Sequence, residues 1–97
     1  MFGVKEKSKI VREEVRYANG MEYKYTLSVK TSEMTASFGL SLYSIRVEMI
    51  DKKGIHTEAT LNDAFRSPEA AFSFFSRVTS NLATPIDLPF VFDDERT

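Results

Sequence analysis

Residues 10–30 read IVREEVRYANGMEYKYTLSVK, and this stretch decides the fold. In its second half Tyr23, Tyr25, Leu27 and Val29 fall on one parity and Lys24, Thr26, Ser28 and Lys30 on the other. Successive side chains of a strand point to opposite faces, so this is a half-buried strand. The first half alternates less cleanly. Val11, Val15 and Tyr17 share one parity, Arg12, Glu14 and Arg16 the other, and Glu13 interrupts the apolar side. Between the halves stands Asn19-Gly20, a hairpin dipeptide. A two-residue turn would set Tyr17 against Glu22 and Val15 against Lys24, leaving the two apolar sets on opposite faces. A one-residue slip turns every side chain over. Burial therefore predicts an odd-length loop over Asn19–Met21, with Gly20 at positive φ, Tyr17 opposite Tyr23 and Val15 opposite Tyr25.

Outward from this hairpin the chain continues in kind. Residues 1–8 read as a frayed polar start, and residues 31–37 as a polar connection. Residues 38–50 form the longest strand-like stretch. Phe38, Leu40 and Leu42 lie on one parity and Tyr43, Ile45, Val47 and Met49 on the other. The change at Leu42-Tyr43 calls for a bulge or for cover on both faces. Asp51-Lys52-Lys53-Gly54 is a type I turn whose glycine can adopt the left-handed region. It leads into Ile55, Thr57, Ala59 and Leu61, with Val47 opposite Ala59 and Ile45 opposite Leu61. Ser67 is an N-cap, Pro68 fits the first helical position, and Glu69 suits the positive end of the dipole. Ala71, Phe74, Phe75, Val78 and Leu82 recur at helical spacing. Asn81 and Thr84-Pro85 mark the helix end, and Asp87 can cap a last helical turn with Pro89 near its start.

The expected architecture is α+β: a four-stranded antiparallel β-meander with one amphipathic helix on one face and an ordered, proline-containing C-terminal tail. The chain has 97 residues, of which Leu, Ile, Val and Phe make up 26. That suits a single domain over residues 1–97 with a small core.

Composition excludes much chemistry. Thirteen basic residues against fourteen acidic ones give a net charge of −1, which is no footprint for nucleic acid or an anionic membrane. Residues 1–48 carry a slight positive excess and residues 49–97 a slight negative one, too weak to name a partner. There is no cysteine, hence no disulfide, thiolate zinc site or cysteine nucleophile. A domain this small without disulfides favours a reducing compartment, and MFGVKEKSK has no apolar signal-peptide core. Gly3 follows Phe2, so the myristoylation position is lost, and no apolar run approaches a membrane span. The expectation is a cytoplasmic, bacterial-type protein.

Two short motifs carry a resemblance. Tyr43-Ser44-Ile45-Arg46-Val47 is similar to a Tyr-Gly-Ile-x-Val strand, and Thr84-Pro85-Ile86-Asp87-Leu88 to a Ser-Pro-Ile-His-Leu turn after a helix. A carboxylate follows at Asp93 or Asp94. In this order they resemble a family of small uncharacterised proteins from clostridial-type Gram-positive bacteria, over Leu42 to Asp94. Ser44 stands where glycine is usual and Asp87 where histidine is usual, so no role of that histidine transfers. The resemblance implies the order strand, helix, proline turn, and brings no activity, cofactor or catalytic residues.

Candidate sites are few. His56 is the single histidine and shares a strand face with Glu58 and Thr60. His-x-Glu offers two ligands where a stable zinc site needs three or four, so the plain reading is an exposed histidine beside a carboxylate. A serine, His56 and Asp51 or Asp63 have no triad context. Gly39-Leu40-Ser41-Leu42-Tyr43 lacks the second glycine and the following helix of a nucleophile elbow. The glycines at 3, 20, 39 and 54 are scattered and cradle no phosphate. Asp93, Asp94 and Glu95 form a terminal, solvated run. On the polar sheet face Arg12, Arg16, Lys24, Lys30 and Arg46 mix with Glu14, Glu22, Glu48 and Glu58. With Tyr23, Tyr25 and Tyr43 on the buried parity, this is no stacking platform for RNA. The eight phenylalanines exceed what helix and sheet need. Phe72, Phe90 and Phe92 are the candidates for a partner surface, against a plainer reading in which the tail folds back and closes the core.

The sequence thus points to a non-enzymatic protein-interaction or self-associating module, a homodimer among the options. It would act through Phe72, Phe90 and Phe92 or through a sheet edge, without a cofactor. The alternative is a metal- or small-molecule-binding module, or minor enzyme, built on His56, Glu58 and nearby carboxylates.

Overall fold

The computed structural model describes residues 6–32 and 41–96. Four strands follow one another in sequence: β1 (Glu6–Ala18), β2 (Met21–Ser32), β3 (Ser41–Ile50) and β4 (His56–Phe65). They form one antiparallel sheet in the order β1-β2-β3-β4, the meander expected. Two helices close the chain, α1 (Pro68–Ser80) and α2 (Leu88–Arg96). β1 starts at Glu6, earlier than the sequence suggests, with Glu6, Lys7 and Ser8 opposite Ser32, Thr31 and Lys30. Phe38, Leu40, the Gly39-Leu40-Ser41 segment before Ser41, and the connection at residues 33–37 lie outside the described residues.

The β1–β2 register is not the one expected. Ala18 pairs with Met21, Tyr17 with Glu22 and Val15 with Lys24, so the hairpin closes on two residues. Asn19 (φ 53°) and Gly20 (φ 77°) are both left-handed, which is the type I′ turn. That turn matches the right-handed strand twist, and asparagine tolerates the conformation. The expected three-residue loop rested on burying Val15 and Tyr17, and the helix layer explains why this does not happen. α1 packs across β2, β3 and β4, and α2 packs on β4 and α1. Over most of β1 there is no apolar layer for those side chains to enter. Turn chemistry decides, and Arg12, Glu14 and Arg16 take the helix-side positions opposite Leu27, Tyr25 and Tyr23. A bulge at Val11, between Ile10 and Arg12, sets Val11 against the core.

The irregularity expected at Leu42-Tyr43 is displaced too. β2 and β3 pair without a break through Leu42 and Tyr43. The shift falls between β3 and β4, where Tyr43 faces Phe65 but Ile45 faces Leu61. Within that bulge Asp63 is left-handed (φ 52°), and its N–H donates to the Ser44 hydroxyl at 2.9 Å. The remaining β3–β4 pairs are those read from the sequence, Val47 with Ala59 and Ile45 with Leu61. The connecting turn also stands as read. Gly54 (φ 83°) donates to the Asp51 carbonyl at 2.9 Å, and the Asp51 carboxylate accepts from the N–H groups of Lys53 and Ile55.

Ser67 caps α1, its hydroxyl accepting from the Ala70 N–H at 3.3 Å. Ala71, Phe74, Phe75 and Val78 are buried against Tyr23, Tyr25 and Leu27 of β2 and Ile45 and Val47 of β3. Each large side chain so buried contributes about 1.5–3 kcal/mol. Leu82 lies beyond α1 but still packs against the core. It is left-handed (φ 51°) and ends α1, while Ala83 donates back to the Val78 carbonyl at 3.0 Å and Leu82 to that of Thr79 at 3.3 Å. This is a Schellman closure with leucine where glycine is commonest.

The tail is helical over Leu88–Arg96, directly after Asp87 and with Pro89 near its start as expected, and a turn over Thr84–Asp87 leads into it. The Thr84 hydroxyl accepts from the Asp87 N–H, and the Asp87 carboxylate accepts from the Thr84 N–H, both at 3.2 Å. This reciprocal pair of bonds, of capping-box type, closes the turn that precedes α2. Among the described residues, no helix is long and apolar enough to cross a membrane.

Candidate interaction surface

One face of the sheet carries both helices and the other carries nothing among the described residues. Cross-strand pairing orders the uncovered face into rows. The first row, at the turn end, is Tyr17, Glu22, Ile50 and His56. Next come Val15, Lys24, Glu48 and Glu58, then Glu13, Thr26, Arg46 and Thr60. Ile10, Ser28 and Ser44 follow toward the other end.

Most of the charge on this face is matched internally, Glu22 opposite Tyr17 taking part in none of the pairs among the described residues. Lys24 reaches Glu13 at 3.4 Å, and Lys30 reaches Asp63 at 3.2 Å across the intervening β3. Arg46 pairs with Glu58 and lies 3.7 Å from Glu48. Exposed pairs of this kind contribute about 0–1 kcal/mol each, so they shape the surface more than they stabilise it. Below the third row the bulge opens a shallow depression of about 550 Å³, lined by Ile10, Ser28, Lys30, Ser44, Asn62 and Asp63 among others.

Apolar side chains concentrate on the β1 side. Tyr17 is 76% exposed and Ile10 60%, with Val15 between them in the strand and Ile50 in the Tyr17 row. All three β1 residues project here because of the two-residue turn and the Val11 bulge. The sequence held the signal, since Asn19-Gly20 is the strongest short hairpin cue, but it was outweighed by the apolar count of β1.

The candidates read from the sequence scatter. Phe92 packs into the core, edge-on to Phe65 (5.6 Å, 85°) and Phe74 (6.0 Å, 88°). Phe72 lies beneath the Arg12 guanidinium, 5.4 Å from the ring centre. Only Phe90 stands open, at 68% exposure, near Ile86 at 71%. So the three phenylalanines do not form one patch, and the tail closes the core as the plainer reading had it. His56 and Glu58 do share the uncovered face, but they bind different neighbours. His56 Nε2 lies 3.2 Å from Glu48, while Glu58 is held by Arg46. Among the described residues, no three His, Cys, Asp or Glu side chains converge as metal ligands.

No protein-family model, no curated protein and no solved structure matches this chain.

Proposed function

We propose that this protein is a non-enzymatic interaction module of a reducing, cytoplasmic compartment, holding a protein partner on the β1 side of its uncovered sheet face. The observation that carries this reading is the outward projection of Ile10, Val15 and Tyr17 from a long edge strand. Lys24 beside Val15 is paired with Glu13, and Glu22 is the one neighbouring charge in no such pair among the described residues, so the partner is of matching chemistry: an apolar, weakly charged surface such as the apolar side of an amphipathic helix. Kinship with the clostridial-type family belongs to the same proposal. Tyr43–Val47 supplies core positions of β3, and Thr84–Asp87 is the hydrogen-bonded turn that leads into the second helix.

The test is a native-lysate pull-down with wild-type protein and the double variant Val15→Glu, Tyr17→Lys. These substitutions give Lys24 and Glu22 opposite charges across the strand, so the hairpin is preserved. A stoichiometric protein retained by the wild type and reduced at least about tenfold by the variant is the expected result. Equal retention by the variant overturns the reading. His56→Ala separates it from the alternative, since a module built on His56 and Glu58 loses its ligand and this one does not.

A further inference from the structure

We propose that two copies of this chain pair β4 with β4, antiparallel about a two-fold axis, joining their sheets into one of eight strands. The proposal is independent of the partner surface above, because it uses the opposite edge of the sheet.

A sheet edge is a row of unpaired backbone groups, and proteins that stay single defend it with bulges and inward-pointing charges. β1 has both defences. It is bulged at Val11, and its helix-side positions hold Arg12, Glu14 and Arg16. β4 is defended only at one end, by the bulge around Asp63. From His56 to Leu61 it pairs regularly with β3, has no proline, and turns Thr57, Ala59 and Leu61 toward the helix side. No strand lies beyond it among the described residues.

A second observation names the occupant. Exposed apolar side chains stand at both ends of this edge. Ile55, just before β4, is 57% exposed. At the Phe65 end sits α2, fixed there by Phe92 on Phe65, with Phe90 of the same helix exposed. Within one chain these ends are separated by most of the strand, on the order of 30 Å at about 3.3 Å per residue. Antiparallel pairing brings Ile55 of each copy alongside the α2 end of the other, and does so twice. Such mutual contact is the mark of an isologous, two-fold interface.

The side chains also select a register. A two-fold axis normal to the sheet must place residues of the same face opposite one another. Centring on Glu58 would oppose two carboxylates. Centring on Ala59 places Glu58 opposite Thr60 of the other copy and pairs Thr57 to Leu61, nearly all of the regular segment.

Sedimentation or light-scattering mass over a concentration series tests this, with melting curves as the folding control. The wild type should reach twice the 11.1 kDa chain mass. Thr57→Lys, which copies the defence of β1, should be monomeric. Ile55→Asp and Phe90→Asp, both at exposed positions, should each weaken association at least about tenfold. Val15→Glu with Tyr17→Lys should dimerise like the wild type. Should Thr57→Lys fail to fold, the two exposed variants decide alone. A wild type that stays at 11.1 kDa throughout overturns the proposal, as does a dimer that survives Ile55→Asp and Phe90→Asp unchanged.

Discussion

The phenol of Tyr25 donates a 3.0 Å hydrogen bond to the Ala83 carbonyl, joining the middle of β2 to the link between α1 and α2. The ring is fully buried and stacks on Tyr23 with centroids 6.3 Å apart. Tyr25→Phe keeps the packing but leaves a buried carbonyl without its donor. The expected loss is about 1–3 kcal/mol, read from urea or thermal unfolding.

The same phenol gives a signature at high pH. Burial, with Tyr23 beside it, pushes its pKa from 10.0 up to about 12. A folded-state pKa above the unfolded one means that this stabilisation is complete below pH 10.0 and is lost as pH rises through about 12. The unfolding midpoint should fall over that window, and Tyr25→Phe should flatten the fall. A fall of equal size in the variant would assign it to other groups.

Phe90 and Phe92 are two positions apart yet should behave differently. Phe92→Ala opens a gap between Phe65 and Phe74, and its cost should approach the ~3–5 kcal/mol of a buried phenylalanine, reduced by its partial exposure. Phe90→Asp changes an exposed position and should shift monomer stability by no more than about 0.5 kcal/mol. Denaturant titration of both variants, at a concentration below any association, makes the comparison.

At the start of α1, Ser67→Ala removes the hydroxyl that accepts from Ala70 and should cost about 0.5–2 kcal/mol. Glu69 is affected as well. Its own backbone N–H and the Ser67 hydroxyl hold its carboxyl below 4.5. A depressed folded-state pKa stabilises above the unfolded value and is lost as pH falls through the folded one. Acid unfolding of Ser67→Ala should therefore begin from a smaller Glu69 contribution, visible as a shallower pH dependence below about pH 4.5.

Gly20 is the residue on which the hairpin register turns. At φ 77°, any L side chain is strained, and a Cβ would also stand 2.5 Å from Lys52 Cε. The lysine tail can move, so backbone strain sets the cost of Gly20→Ala at about 1–2 kcal/mol. Amide exchange on Ala18 and Met21, the hydrogen-bonded pair that closes the turn, would show whether the turn opens first.

Much of this fold was legible because short-range rules and burial agreed. Tyr23 to Val29, Ser67-Pro68 and Asp51 to Gly54 each carried one message at both levels. They separated at β1, where apolar alternation argued for burial and Asn19-Gly20 for a register that exposes Val15 and Tyr17. What decided was the reach of α1, which depends on where the helix lands and not on the residues of β1. The reciprocal Thr84–Asp87 bonds are not legible in the sequence because Thr84-Pro85 reads there only as the end of α1. The candidate surface was hardest to read, since Phe92 and Phe90 are alike in sequence and differ only in which one meets Phe65.

The charged inner side of β1 has a consequence for motion. β1 is held mainly by its ladder with β2, with Val11 and Ala18 as its inward apolar contacts. Releasing it would uncover little of the Phe74–Phe75 layer, whereas releasing β2 would uncover Tyr25 and Leu27. Opening should therefore be graded across the sheet, with β1 a separate, lower-energy unit and β2 to β4 with α1 the last to yield.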